Sequence, residues 1–475
     1  MPSRPLAFLM IPLVLLGIFV GARAAEDGDG AATPGAIALT LQQAEQTALR
    51  NQPNVRAARG LQEAAEGRVE EARAGYLPQL TVTGSYERTT GNFATRPGVL
   101  PTSLTTSGMG GGSGTAVMAG ATPISWDPKY NYFQLNAGAS QLLYDFGQTS
   151  HRWAAAGASR DAATDNTRTA TLQTLLNVRR AYFAARANRD LVAVADETVR
   201  NQEKHVEQTQ AFVRTGIQPD INLATVKTAL ANAKVQLVTA RNNFAVAEAQ
   251  LSQAMGVSVS EMYTLSDEQL PPIAGEAGEP ASLVEHAEKN RPEIASLTTQ
   301  RRAQELTLSS LKGAYGPSLS AIANISEVGV AADSLAPNWY VGLGLTWNIL
   351  QGGLTRGQIR EANGTLENLV GQEQALRLQV QVDVEQGRLG VQAAKATISA
   401  ADEALVNARS QLTLAEKRYE HGLGSAVELS DAQVAYTTAE AQVVQSKFNL
   451  ASARAQLLAA LGDQGEGWKR CSRGR

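Results

Sequence analysis

From Asn338 the chain alternates strictly between two kinds of residue. Trp339, Val341, Leu343, Leu345, Trp347 and Ile349 share one parity, and Tyr340, Gly342, Gly344, Thr346 and Asn348 the other. Successive side chains of a strand point to opposite faces, so the pattern predicts a β-strand with one wholly apolar face. Trp339 and Trp347 mark the two ends of that face, roughly 26 Å apart at ~3.3 Å per residue. That span matches the apolar band, bounded by aromatic girdles, of a strand that crosses an outer membrane.

The same parity recurs at Phe133, Leu135, Ala137, Ala139 and Leu143, interrupted by Gln141. Two further alternating stretches follow a proline. One sets Leu80, Val82, Gly84 and Tyr86 against Thr81, Thr83, Ser85 and Glu87, and the other carries Leu319, Ala321, Ala323 and Ile325. Four strands in two hairpins are expected. Half-buried hairpins packed on helices would give the same alternation in a soluble protein. In a membrane, barrels begin at about eight strands and open edges are not tolerated, so four strands must be completed by other copies of the chain.

After each second strand the period changes. Residues 149–213 and 355–420 contain no strong helix breaker, and a helix of that length would form a rod near 100 Å at 1.5 Å rise. The turn signals Arg214-Thr-Gly-Ile-Gln-Pro-Asp220 and His421-Gly-Leu-Gly-Ser425 end them, and helical patterns resume to Gly256 and Gly462. Two long helical hairpins are predicted. Ala-rich stretches such as Ala245, Ala247 and Ala249, repeated at Ala451, Ala453 and Ala455, suit close helix approach.

These elements are a duplication. Residues 147–256 and 353–462 align without a gap at an offset of 206, pairing Gly216 with Gly422, Leu223 with Leu429, Asn243 with Asn449 and Leu251 with Leu457. Asn51-Gln-Pro53 matches Asn290-Arg-Pro292, and Gly75-Tyr-Leu-Pro78 matches Ala314-Tyr-Gly-Pro317, at an offset of 239. The difference of 33 is an insertion in the first copy, placed in the Gly-, Thr-, Ser- and Pro-rich stretch 91–127 and read as a loop. The expected division is a secretory signal at 1–24, a first repeat at 38–256, a linker at 257–280, a second repeat at 281–462 and a basic tail at 463–475. The signal reading rests on Arg4, the apolar run from Leu6 to Val20 and the small-x-small Ala22-Arg-Ala24. An uncleaved N-terminal anchor is the alternative.

Composition narrows the function. The net charge is −3, with no basic cluster outside the C-terminus, so nothing points to nucleic acid. The single cysteine, Cys471, leaves no internal disulfide to form. His151, His205, His286 and His421 have no metal-ligand spacing, Gly108 to Gly114 lacks the Lys-Ser/Thr of a phosphate loop, and no catalytic triad can be assembled. No cofactor or enzyme activity is expected.

The order helix, strand, strand, long helical hairpin, done twice behind a signal, resembles the TolC-type outer-membrane efflux family from about Ala38 to Gly462. Its marks are the opening 39–53, Tyr76-Leu-Pro78, Leu143-Tyr-Asp-Phe-Gly147 and the tip 422–432. The resemblance implies an α+β membrane protein: a homotrimer with a twelve-stranded barrel in outer-membrane lipid and a twelve-helix periplasmic tunnel. It implies a passive exit duct of a tripartite pump or type I secretion system, docked to a periplasmic adaptor and an inner-membrane transporter. By the same resemblance the periplasmic aperture falls on Glu428, Asp431, Asp220 and Tyr419, with Gly424 where a basic residue usually stands, so that either another donor such as Arg214 closes the gate or the resting gate is looser. Adaptor contacts fall on Gly216, Ile217, Gly422 and Leu423. Glu428 and Asp431 are three apart and share a helix face, though ordinary first-turn acids would look the same. A coiled-coil adaptor would need one hairpin and a lipoyl-like domain, and a surface-structural barrel would not need tunnel-length helices.

Overall fold

A computed structural model describes residues 37–90, 129–216, 218–258, 263–267, 269–273, 276, 278–333 and 335–463. The expected signal, the insertion at 91–127, Ile217 and the tail beyond Asp463 with Cys471 lie outside the described residues.

The chain opens with a short strand β1 (Ile37–Leu39) and helices α1 (Leu41–Asn51) and α2 (Pro53–Ala74). Strands β2 (Gln79–Thr90) and β3 (Lys129–Tyr144) follow, then the hairpin α3 (Gln148–Arg214) and α4 (Asp220–Met255). After β4 (Tyr263–Leu265) the order repeats as α5 (Pro280–Asn290), α6 (Pro292–Gly313), β5 (Ser318–Gly329), β6 (Ala336–Thr346), α7 (Leu354–Glu420) and α8 (Ala426–Ala460).

The four long strands form one antiparallel sheet in the order β2-β3-β5-β6. Its register brings Val82, Ala137, Ile325 and Trp339 into one row and Leu80, Ala139, Ala323 and Val341 into the next. The alternating pattern therefore makes one continuous apolar face, and that face is bare: Leu80 is 75% exposed, Trp339 73% and Leu343 70%. The opposite parity carries Thr83, Asn136, Asn324 and Tyr340. Gln141, which interrupts the apolar parity, is used at the sheet's end, where its Nε2 donates to the Tyr76 and Leu142 carbonyls. β6 stops at Thr346, so Trp347 lies just past the strand, its indole N–H donating to the Tyr315 carbonyl at 3.0 Å.

α3 and α7 each run 67 residues, about 100 Å at 1.5 Å per residue. Each starts from two residues in the left-handed region, Phe146 (φ 52°) and Gly147 (82°) in the first copy, Gly352 (58°) and Gly353 (88°) in the second. Phe146, strained there for lack of a glycine, lays its ring on Gly316, where a Cβ would come within 2.4 Å of the ring.

The motifs Asn51-Gln-Pro53 and Asn290-Arg-Pro292 prove to be elbows. Proline pushes the residue before it into extended conformation, and Gln52 (ψ 121°) and Arg291 (ψ 118°) break α1 from α2 and α5 from α6. The glycines ending α4 and α8 then close on those elbows in left-handed caps. A Cβ at Gly256 would meet the Asn51 backbone at 2.9 Å, and one at Gly462 the Asn290 carbonyl at 2.8 Å. Around the middle of α3, Tyr182 donates between the Leu39 and Ser266 carbonyls and anchors the β1–β4 pair.

Candidate functional site

The lower ends of the two hairpins come together through one buried tyrosine. Tyr419, near the end of α7, is 1% exposed. Its hydroxyl lies 2.8 Å from Thr209 Oγ1 on α3 and donates to Gln218 Oε1 at 3.1 Å, beside the first tip. Phe212 meets the ring edge-on at a centroid distance of 5.9 Å. An apolar cluster of Leu412, Ala415, Ala426, Leu429 and Ala432 surrounds it. Tyr419 thus ties the second hairpin to the first, and the residue it reaches is Gln218, two before the expected Asp220. Asp220 itself is exposed in the first turn of α4, where a carboxylate suits the helix dipole.

Glu428 is half-buried in the first turn of α8 and ion-paired to Arg418 Nε at 3.1 Å, while Asp431 on the next turn is exposed. Ser425 caps the helix, accepting from the Glu428 backbone N–H. Sequence reasoning missed Arg418. The signal was its position across the hairpin, since the turn at Leu423 folds residue 418 back onto 428. Arg214, the donor expected instead, is exposed at the end of α3.

Gly424 has a steric reason to lack a side chain. It packs on the end of α7, where a Cβ would lie 3.1 Å from the Tyr419 nitrogen, and its N–H and that of Leu423 both donate to the Arg418 carbonyl. Gly216 (φ 73°) and Gly422 (φ 69°) sit in the left-handed region with open space around them, as the turns require. The second tip presents Leu423 at 75% exposure and Val427 at 62%, and the first presents Ile221 at 68%. Ile221 and Val427 are equivalent positions of the repeat, and both were overlooked for lack of a motif.

One turn above Tyr419, between α3, α4 and α8, both polar atoms of the Gln433 amide and His205 Nε2 are buried without a hydrogen-bond partner among the described residues. Further up, Glu440 on α8 is held above the ordinary carboxylate range by burial and by the nearby charge of Glu197. Where the linker crosses the hairpins, Glu276 is 6% exposed and bound by Lys395 at 2.5 Å and Arg454 at 3.3 Å. Burial there works against its charge, but the two cations outweigh it and hold its carboxyl below the usual range. No helix among the described residues is long and apolar enough to cross a membrane, and none of their acidic, His and Cys side chains gather as a metal site.

A family model described as outer membrane efflux protein matches residues 44–257 and 283–463. The chain is 24% identical over 450 residues to the outer membrane protein TolC of Escherichia coli, which covers 90% of this chain and 83% of TolC. It is 23% identical over 346 residues to the pyoverdine export outer membrane protein OpmQ of Pseudomonas putida, covering 71% of each. Among solved structures, the CmeC outer membrane channel of Campylobacter jejuni matches with a TM-score of 0.76 at 15% identity, covering 91% of this chain and 88% of that one.

Proposed function

This chain belongs to the outer membrane efflux protein family, and on that premise we infer that three copies assemble into one passive export duct, a barrel in the outer membrane continued by a helical tunnel in the periplasm. The observation that carries the reading is a four-stranded sheet with one bare apolar face and an open edge at each end. Lipid can solvate the face but not the edges, whose backbone groups need partners. Three such sheets give twelve strands, within the range of outer-membrane barrels. Trp339 and Trp347 would then lie at the two membrane interfaces, where amphipathic rings are favoured.

Below the barrel, the Tyr419 joint and the acids Glu428 and Asp431 would narrow and charge the periplasmic aperture. Repeated by three chains, those acids favour cations over anions. The tips would receive a periplasmic adaptor energised by an inner-membrane transporter. Gly216, Gly422 and Leu423, with Ile221 and Val427 beside them, offer an apolar surface in the helix-in-groove manner. Purified protein measured by light scattering and negative-stain imaging in detergent tests the assembly. An elongated trimer with a conducting pore in planar bilayers is expected, and a compact monomer would overturn it.

A further inference from the structure

A collar made of α1, the β1–β4 pair and the linker covers one side of α3. Arg179 pairs with Glu45 at 2.6 Å, Tyr182 holds the Leu39 and Ser266 carbonyls, and Arg189 reaches the Leu265 carbonyl. At about 3.6 residues per turn, the side of α3 turned away from these contacts carries Gln173, Asn177, Arg180 and Ala184. The equivalent row on α7 is Gln379, Asp383, Gln386 and Gly390, likewise turned away from Arg377 and Lys395, which reach α5 and the linker. The duplication keeps even the bond within the row. Gln173 Nε2 donates to Asn177 Oδ1 at 3.2 Å, and Gln379 Nε2 to Asp383 Oδ1 at 2.8 Å. With the collar on the outside of a helical tunnel, both polar rows line the bore.

At that level a cavity of about 210 Å³ opens between α3, the α5–α6 elbow, α7 and α8. Four charged residues line it, Arg180, Arg291, Glu293 and Asp383, together with an apolar patch from Leu172 and Leu176. Arg291 lies 2.8 Å from Asp383 Oδ2 and 3.5 Å from Glu293 Oε2, so one guanidinium answers two carboxylates. The second contact is incomplete, because Arg291 Nε and Glu293 Oε2 are both buried and neither has a hydrogen-bond partner among the described residues. On the α3 wall, Arg180 is bound to a neutral group, its Nη2 donating to Gln456 Oε1 at 3.2 Å. One wall therefore carries a positive charge answered by an amide, and the elbow carries two negative charges answered by one positive.

We propose that this cavity is a transit subsite for small zwitterions, molecules that carry a carboxylate and an ammonium group. Resting on the trimer reading, such a subsite gives the duct a substrate class. The carboxylate lies against Arg180, whose planar fork suits two parallel N–H···O bonds, and the ammonium against Glu293 and Asp383. The apolar patch covers the carbons between them. A plain anion meets the two acids and a plain cation meets Arg180, so each is disfavoured by a like charge. The first copy shows that an elbow closes without these charges. Gln52, Asn54 and Asn177 stand where the second copy has Arg291, Glu293 and Asp383, and Gln386 stands where the first has Arg180. Gln52 spends its amide on the Gln253 and Ala254 carbonyls instead. The charges converge on one of the two elbows, which sets them apart from the common requirements of the fold.

Channels of the full-length protein in planar bilayers test the subsite, with 4-aminobutyrate as the zwitterion and butyrate and butylammonium as its two halves. In wild type, 4-aminobutyrate should interrupt the current at a concentration about tenfold below that of either half, the gain from one further charge-assisted contact. Arg180→Gln should raise the half-blocking concentration of 4-aminobutyrate about tenfold without weakening butylammonium, and Arg180→Lys should restore most of the block. Glu293→Gln should weaken 4-aminobutyrate without weakening butyrate. Butyrate as effective as 4-aminobutyrate in wild type, or block by 4-aminobutyrate unchanged in both Arg180→Gln and Glu293→Gln, would overturn the subsite and leave a conducting tunnel intact. A protein that forms no trimers and conducts no ions would overturn the tunnel and the subsite with it.

Discussion

Replacing Tyr419 by phenylalanine removes one oxygen from the joint between the hairpin tips and keeps the ring. The lost oxygen lies 2.8 Å from Thr209 Oγ1 and 3.1 Å from Gln218 Oε1. Thr209 is 0% exposed, so water does not replace the missing partner. Leaving a buried group unsatisfied costs about 1–3 kcal/mol. The Thr209 hydroxyl can turn back to a carbonyl of its own helix and Gln218 is only half-buried, which sets the expectation at about 1–2 kcal/mol, a factor of roughly 5–30 between joined and parted tips. Packing against Phe212 is retained, so the trimer should assemble normally. If the joint holds the aperture narrow, single channels of the Tyr419→Phe variant in planar bilayers should spend roughly 5–30-fold more time relative to closed in a higher-conductance state. Intact trimers with wild-type conductance and gating would refute the role given to this tyrosine.

Other expectations follow from the same region and from the linker. Glu428→Ala with Asp431→Ala should lower cation preference in bilayers, whereas Arg418→Gln, which unmasks Glu428, should raise it; unchanged reversal potentials in both would remove the ring assignment. Leu423→Asp with Val427→Asp should abolish export while trimers form, because a charge would be buried against the adaptor; surviving export would move the docking site elsewhere. Glu440 has a raised folded pKa, so its cost to stability is absent below the ordinary 4.5, grows as pH rises through the raised value and is then constant. Glu440→Gln should therefore melt higher than wild type at neutral pH and equal to it near pH 4, and a gain independent of pH would contradict that origin. Glu276 has a lowered pKa, so its contribution is full above 4.5 and fades as pH falls through the folded value. Glu276→Gln should destabilise at neutral pH, since Lys395 and Arg454 lose a buried partner, and its melting temperature should approach that of wild type in acid.

The architecture was legible in the sequence because it is written in periods. Alternation at Trp339 to Leu345 needs only strand geometry, and breaker-free stretches between turn glycines need only helix geometry. The constant offset then shows that the pattern is used twice. Even the elbow prolines and the glycines at 256 and 462 stood out as matched positions, although that each glycine closes on an asparagine of an elbow emerged only when the chain was folded. The functional end was different. Whether Glu428 stands free or meets Arg418, and whether Tyr419 turns to Asp220 or to Gln218 and Thr209, depends on how four helix ends meet. Those residues are up to 210 positions apart, and no local period relates them. Burial likewise belongs to the fold: Leu172 and Leu378 are the same residue in equivalent places, one covered and one bare. The sequence could say that both are apolar, but only the tertiary structure could say which one still awaits a neighbour, because exposure depends on what lies across the interface.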